Sequence, residues 1–110
     1  MESAGQDTLA EAMDRLWVRF LPQLEERVAA LESAATALAQ GTLVPAQREQ
    51  ASEVAHKLAG VLGTFGLDEG TSLARETELA YSGDHHADSA AAARLSQIAS
   101  QLRAMVAGRK

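Results

Sequence analysis

The sequence predicts an all-α fold: an antiparallel up-down-up-down bundle of four helices, in a single domain of residues 1–110. Three observations support this fold class. Hydrophobic residues make up 46% of the chain and aromatic residues only 4%, a balance that favours packed helices over a sheet. Apolar residues recur at helical spacing in four separate stretches. The connections between these stretches are short, roughly 3 to 5 residues, which suits antiparallel neighbours.

The first stretch, residues 7–40, carries the longest apolar stripe, and from Trp17 onward its spacing alternates between four and three residues. Pro22 lies inside this stretch. Because proline removes one helical hydrogen bond and crowds the carbonyl four residues earlier, we expect a kink or a break near Pro22. The residues before it would form an N-terminal extension or a short extra helix. Gly41 is the expected cap of the helix C-terminus.

Two further helices follow. The second is expected over about residues 44–64, with Pro45 as its first residue and Gly66 closing it in a left-handed turn. The third is expected over residues 67–82 and is ended by Gly83. Its first turn is acidic, which suits the helix dipole.

The fourth helix is expected over residues 85–107, with Asp84 as its N-cap. His85 and His86 stand at its start, in a stretch (84–88) that clusters His and Asp, which are residue types that bind zinc or nickel. Adjacent histidines point about 100° apart on a helix. Since no other His or Cys of this stretch is available to complete a closed site, we expect no metal site.

Composition and charge argue against several functional classes. The absence of cysteine removes disulfides, thiolate zinc sites and a cysteine nucleophile. The acidic N-terminus lacks the features of a signal peptide, and no apolar run approaches ~18 residues, so we expect a soluble cytoplasmic domain without a membrane partner. The net charge of −5 offers no basic stripe for nucleic acid. A bundle of this size can close its own core, so we expect a monomer.

His56 is the candidate functional residue, because it faces away from the apolar side of the second helix. It lies well over ~100° from most of the apolar stripe, which consists of Val54, Leu58, Val61, Leu62 and Phe65. Gly60 and Gly63 lie within about 40° of His56, and Ala59 within about 60°. Each glycine inside a helix costs roughly 1 kcal/mol relative to alanine. This strip of small residues therefore favours close approach of another protein over helix stability.

Simpler explanations stay open for the same residues. A lone histidine on a helix is usually an ordinary surface residue. The glycines could instead permit a close crossing with a neighbouring helix. Trp17, Phe20 and Phe65 are most simply interpreted as core residues.

The stretch 55–66 resembles the signature of the histidine-containing phosphotransfer (HPt) family, and is most similar to the form found in chemotaxis histidine kinases. There the histidine is followed by an apolar residue at two, by glycines at four and seven, and by Thr-Phe-Gly at eight to ten. The matching residues here are His56, Leu58, Gly60, Gly63 and Thr64-Phe65-Gly66. The predicted four-helix bundle agrees with the family. One position departs from it: the family usually has lysine three residues after the histidine, where this chain has Ala59.

The resemblance implies that His56 accepts a phosphoryl group on a ring nitrogen and relays it to or from an aspartate of a receiver domain, in a response regulator or a hybrid histidine kinase. The chain would need no cofactor of its own, because the receiver brings Mg²⁺. The sequence contains no Gly-rich ATP-binding loop, so we expect a phosphotransfer intermediate rather than a kinase acting alone. The alternative is a bundle that docks signalling partners without carrying phosphate, and Ala59 keeps that alternative open.

The resemblance also implies a partner for the second ring nitrogen of His56. A glutamate on the following helix would accept its hydrogen bond and fix the tautomer, and the ungapped match places Glu78 there. Glu49 and Glu53, on the same helix as His56, are local alternatives.

Because the lysine of the family is absent here, another cation would have to neutralise the charge of the phosphate. Arg75, one turn before Glu78, and Lys57 are the candidates. Lys57 is rotated about 100° from His56, which favours Arg75.

Overall fold

The computed structural model describes residues 2–82 and 88–109, and over these ranges the fold is all-α, as predicted. Its helices are α1 (Glu2–Gln40), α2 (Pro45–Thr64), α3 (Asp68–Tyr81) and α4 (Ala92–Gly108), with a 3-10 turn (Ser89–Ala91) before α4. They form a four-helix bundle in which α2 packs mainly against α3, and α1 mainly against α4.

Contacts between α1 and α4 show that these helices run antiparallel. Arg103 of α4 contacts Glu32, whereas Arg109, the residue directly after α4, contacts Asp14, which is earlier in α1. The α2–α3 contacts described below show that α2 and α3 are antiparallel as well. Together with the short connections after α1 and α2, they confirm the up-down-up-down arrangement.

Helix α1 continues through Pro22, so of the kink or break expected there the break was wrong, and the kink stays a prediction. Trp17 and Leu24 lie on either side of the proline, seven residues apart on one stripe, and both are buried. Burying this stripe against the bundle outweighs the one hydrogen bond that proline removes. The residues before Pro22 are therefore an N-terminal extension of α1, not a separate helix. At 1.5 Å per residue, 39 residues account for the 58 Å length of the molecule.

The boundaries around α2 agree with the sequence patterns. Pro45 is the first residue of α2, where its missing N–H costs no hydrogen bond. Gly41, after α1, and Gly66, after α2, have φ angles of 72° and 75°. Glycine adopts this left-handed conformation without steric cost, which is why the helices end there.

Helix α4 begins at Ala92, not near residue 85 as expected. Asp88 has an extended backbone, and its side chain accepts a hydrogen bond from the N–H of Ala90, so it caps the 3-10 turn that leads into α4. An extended residue cannot continue a helix from further upstream. The predicted caps Gly83 and Asp84, and the histidine pair that follows them, lie outside the described residues.

The buried face of α2 is centred on alanine and leucine, and it determines which way His56 points. Its buried members are Ala51, Ala55, Leu58, Ala59 and Leu62. The other predicted core residues of this helix region lie at the edge of the core and are partly exposed: Val54, Val61 and Phe65. His56 is rotated about 100° from Ala55, away from the centre of this buried face, and is exposed.

Aromatic residues close the end of the bundle where α2 ends. Trp17 is buried, and its ring centroid lies 5.1 Å from that of Phe65, with the rings edge to face. Phe20 contacts the same ring at 6.2 Å. The guanidinium of Arg109 covers both Trp17 and Phe65, at 4.9 and 5.1 Å from the ring centroids. The prediction that these aromatic residues belong to the core is confirmed for Trp17. Phe20 and Phe65 pack around it and are half-buried.

None of the helices in the described ranges is both long enough and apolar enough to cross a lipid bilayer.

Candidate functional site

His56 lies midway along α2, and its side chain is 73% exposed. The buried residues before and after it, Ala55 and Leu58, fix this orientation, because they lock the opposite side of the helix into the core. The predicted exposure of the ring is confirmed. A partner molecule can therefore reach the imidazole without any rearrangement of the bundle.

The imidazole is held through one nitrogen by Glu78 of α3. His56 Nδ1 lies 3.0 Å from Glu78 Oε2. A carboxylate can only accept a hydrogen bond, so we assign the ring proton to Nδ1, which donates to Glu78. Nε2 is then left with its lone pair, and it makes no hydrogen bond to any residue in the described ranges.

The structure distinguishes Glu78 from the two other glutamates considered as partners of His56. Glu53 forms an ion pair with Lys57, at 3.1 Å, and does not contact the imidazole. Glu49 lines a groove beside His56 without a hydrogen bond to it among the described residues. The predicted contact with Glu78 is thus confirmed, and its role in phosphotransfer stays a prediction.

Neither candidate cation contacts His56. Lys57 is engaged with Glu53, as noted above. Arg75 lies on α3 one turn before Glu78, is exposed, and forms no hydrogen bond or ion pair within residues 2–82 and 88–109. Of the two, Arg75 is therefore the cation whose charge is not paired with a carboxylate among the described residues.

Ala59 does not belong to the exposed strip, contrary to the sequence prediction. It is only 5% exposed, and its carbonyl accepts a hydrogen bond of 3.0 Å from the hydroxyl of Thr71. The close packing of α3 explains the error, because α3 covers a wider part of α2 than the apolar stripe alone suggests. A partner that approaches His56 cannot contact the side chain of Ala59 directly.

The two glycines near His56 serve different purposes. A Cβ atom on Gly60 would meet nothing within 4 Å, so this position lies on an open surface. A Cβ on Gly63 would lie 3.3 Å from Thr71 Oγ1, which is tighter than ordinary contact. Gly63 therefore lies close against the neighbouring helix, as the simpler explanation predicted, but it is also exposed, so its part in docking stays a prediction. No contact within the described part of the bundle requires glycine at position 60.

A groove of about 910 Å³ lies beside His56, towards the start of α2 and the end of α3. It is lined by Leu43, Pro45, Arg48, Glu49, Ser52, Glu53, His56, Glu78, Tyr81 and Ser82. Burial raises the pKa of Tyr81 to about 12, although the charge of Arg48 opposes that shift. The phenol is therefore protonated at neutral pH and cannot act as a base beside the imidazole.

Two hydroxyl groups that sequence reasoning missed connect α2 to α3. Ser52 Oγ donates to the backbone carbonyl of Glu78 at 3.2 Å, and Thr71 Oγ1 donates to that of Ala59. The only available signal was the position of Ser52, one turn before His56 on the same side of α2. No group of three or more His, Cys, Asp or Glu side chains in the described ranges is arranged to hold a metal ion.

Fold and site together define a helical bundle with an imidazole at its surface, of which one nitrogen makes no hydrogen bond among the described residues. The family model described as Hpt domain matches residues 15–108, which is most of the chain, and the chain belongs to this family. Membership supports a role in histidine phosphotransfer within phosphorelay signalling.

One curated relative is protein RcaC of Microchaete diplosiphon, which is 37% identical over 76 residues. The match covers 69% of this chain but only 12% of RcaC, so the chain spans a small part of that protein. No solved structure matches the chain significantly.

Proposed function

We propose that His56 accepts a phosphoryl group on Nε2 and relays it to or from an aspartate of a receiver domain. The observation that carries the proposal is the exposed imidazole held at Nδ1 by Glu78, at 3.0 Å. This contact orients the ring and leaves the lone pair of Nε2 available for attack. The fold contributes position, because the buried face of α2 holds the ring outward on a rigid helix.

In the forward direction, the lone pair of Nε2 attacks the phosphorus of an aspartyl phosphate. The N–P bond forms while the P–O bond to the aspartate breaks, and the aspartate leaves as a carboxylate with the electron pair of that bond. The phosphorylated ring keeps its proton on Nδ1 and gains positive charge. The carboxylate of Glu78 is placed to stabilise that charge as it develops. Reversing these steps returns the phosphoryl group to a receiver.

The partner is a receiver domain of a response regulator or a hybrid histidine kinase, and it would supply the Mg²⁺ that neutralises the phosphoryl oxygens. The absence of a side chain at Gly60 supports close approach beside His56. Arg75 is the candidate to meet the phosphate charge in place of the lysine that the family usually carries. The chain acts as a monomer and an intermediate of the relay, in the cytoplasm.

The proposal is tested with a receiver domain phosphorylated by labelled acetyl phosphate and then mixed with the chain. We expect label on the chain that is stable to base and labile to acid, as a phosphoramidate is. The His56→Gln variant is the matched control and should stay unlabelled. Equal labelling of the variant would refute His56 as the acceptor.

A second candidate function is a docking module that binds signalling partners without carrying phosphate. Ala59, in place of the usual lysine, is the observation that favours it. Under this alternative, a receiver that binds the chain would transfer no label to it.

A further inference from the structure

The last turn of α3 carries Glu78 and lacks the hydrogen bond that would normally hold the Glu78 carbonyl. In a continuing helix that carbonyl would accept from the N–H of Ser82, four residues later. Here the Ser82 N–H donates instead to Leu79, at 3.3 Å, because the helix ends at Tyr81. The Glu78 carbonyl is therefore one of the last carbonyls of the helix, and no N–H of the described residues after α3 donates to it.

Ser52 of α2 donates a hydrogen bond to this carbonyl. Its Oγ lies 3.2 Å from the Glu78 carbonyl oxygen, across the helix interface. Ser52 and His56 are one turn apart on α2, so both contact the same residue of α3. Glu78 is thus held at its backbone by Ser52 while its carboxylate holds the imidazole of His56.

We propose that Ser52 is a positioning residue for the phosphoacceptor. By fixing the last turn of α3 against α2, it keeps the Glu78 carboxylate within reach of Nδ1, and so maintains the tautomer that leaves Nε2 free. The consequence of the Ser52 contact for phosphotransfer rests on the proposed function of His56. The effect of the contact on the tautomer is independent of that function and can be measured without phosphate or partner.

The test compares Ser52→Ala with wild type by long-range ¹H–¹⁵N NMR of the histidine ring nitrogens, with the His56 signals identified from their loss in His56→Gln. We expect the ratio of Nδ1–H to Nε2–H tautomer to fall by about two- to tenfold, the usual net effect of one hydrogen bond on an equilibrium. Ser52→Thr keeps the hydroxyl and should restore the wild-type ratio. Circular dichroism checks that each variant keeps its helical content.

Thr71→Val is the matched control, because it removes the other hydroxyl that connects α2 and α3. Thr71 lies seven residues from Glu78, about 10 Å along α3, so its loss should loosen the interface without changing the tautomer. An unchanged ratio in Ser52→Ala, or an equal change in Thr71→Val, would overturn the proposal.

Phosphoryl uptake from a labelled receiver is then measured on the same proteins, and its rate should fall in Ser52→Ala with receiver affinity unchanged. A shifted tautomer in a chain that takes up no label, wild type included, would support the role of Ser52 and refute the proposed function instead.

Discussion

Glu78→Gln isolates the contribution of the carboxylate charge to phosphoryl transfer. The amide oxygen can still accept a hydrogen bond from Nδ1, so the ring keeps its position while the negative charge is lost. A hydrogen bond to a charged group contributes about 1.5 to 3 kcal/mol and a neutral one about 0.5 to 1.5 kcal/mol. Because the Glu78 side chain is 31% exposed, we take the lower end of both ranges. The expected loss is about 1 kcal/mol of transition-state stabilisation, or roughly fivefold in rate.

The assay is the initial rate of label transfer from a phosphorylated receiver domain at saturating receiver, so that docking does not limit the rate. Glu53→Gln is the matched control. It removes the same charge from a glutamate on the same helix as His56, but that glutamate pairs with Lys57 and does not contact the ring. Wild-type rates in Glu78→Gln, or an equal loss in Glu53→Gln, would show that the charge of Glu78 does not specifically assist the reaction.

Other predictions concern stability, docking and pH. His56→Gln should abolish phosphoryl uptake and leave the thermal midpoint nearly unchanged, because the side chain is exposed; a large loss of stability would contradict this placement. Gly60→Leu should weaken receiver binding, measured by calorimetry, and keep the helical content, since a Cβ there meets nothing; unaltered affinity would refute close approach at this position. Leu58→Ala should cost about 2 to 5 kcal/mol in chemical denaturation, since Leu58 is fully buried, and a neutral result would contradict its place in the core. The hydrogen bonds from Arg103 lower the pKa of Glu32 from its ordinary value of 4.5, so the pair stabilises the fold above pH 4.5, and this stabilisation is lost as the pH falls through the lower pKa of the folded state. The difference in thermal midpoint between wild type and Arg103→Gln should therefore shrink in acid. A difference that stays constant with pH would contradict this role of the pair.

Helix α2 was predictable because local signals agree there. Pro45 and Gly66 act through the backbone itself, and the exposure of His56 follows from the apolar residues on the opposite side. Such effects need no knowledge of the rest of the fold. The contact with Glu78 came instead from the family resemblance, since helical spacing alone left other glutamates open.

The errors at Pro22 and Ala59, and the omission of Ser52, concern residues whose environment depends on packing between helices. Pro22 disfavours a helix locally, but the buried stripe on both sides of it keeps α1 continuous. Ala59 was placed on the surface because the breadth of the α2–α3 interface is a tertiary property. Ser52 was missed for a related reason: its hydroxyl matters only because α3 ends where it does, beside a carbonyl that needs a donor.

The aromatic end of the bundle provides a built-in optical reporter. Trp17 is the only tryptophan of the chain, and it is enclosed by Phe65 and the guanidinium of Arg109. Phe65 lies nine residues after His56, about 13 Å along the helix axis. The fluorescence of the indole should therefore change when the bundle opens and stay unchanged when the imidazole reacts. Folding can then be followed separately from phosphorylation in one unlabelled sample.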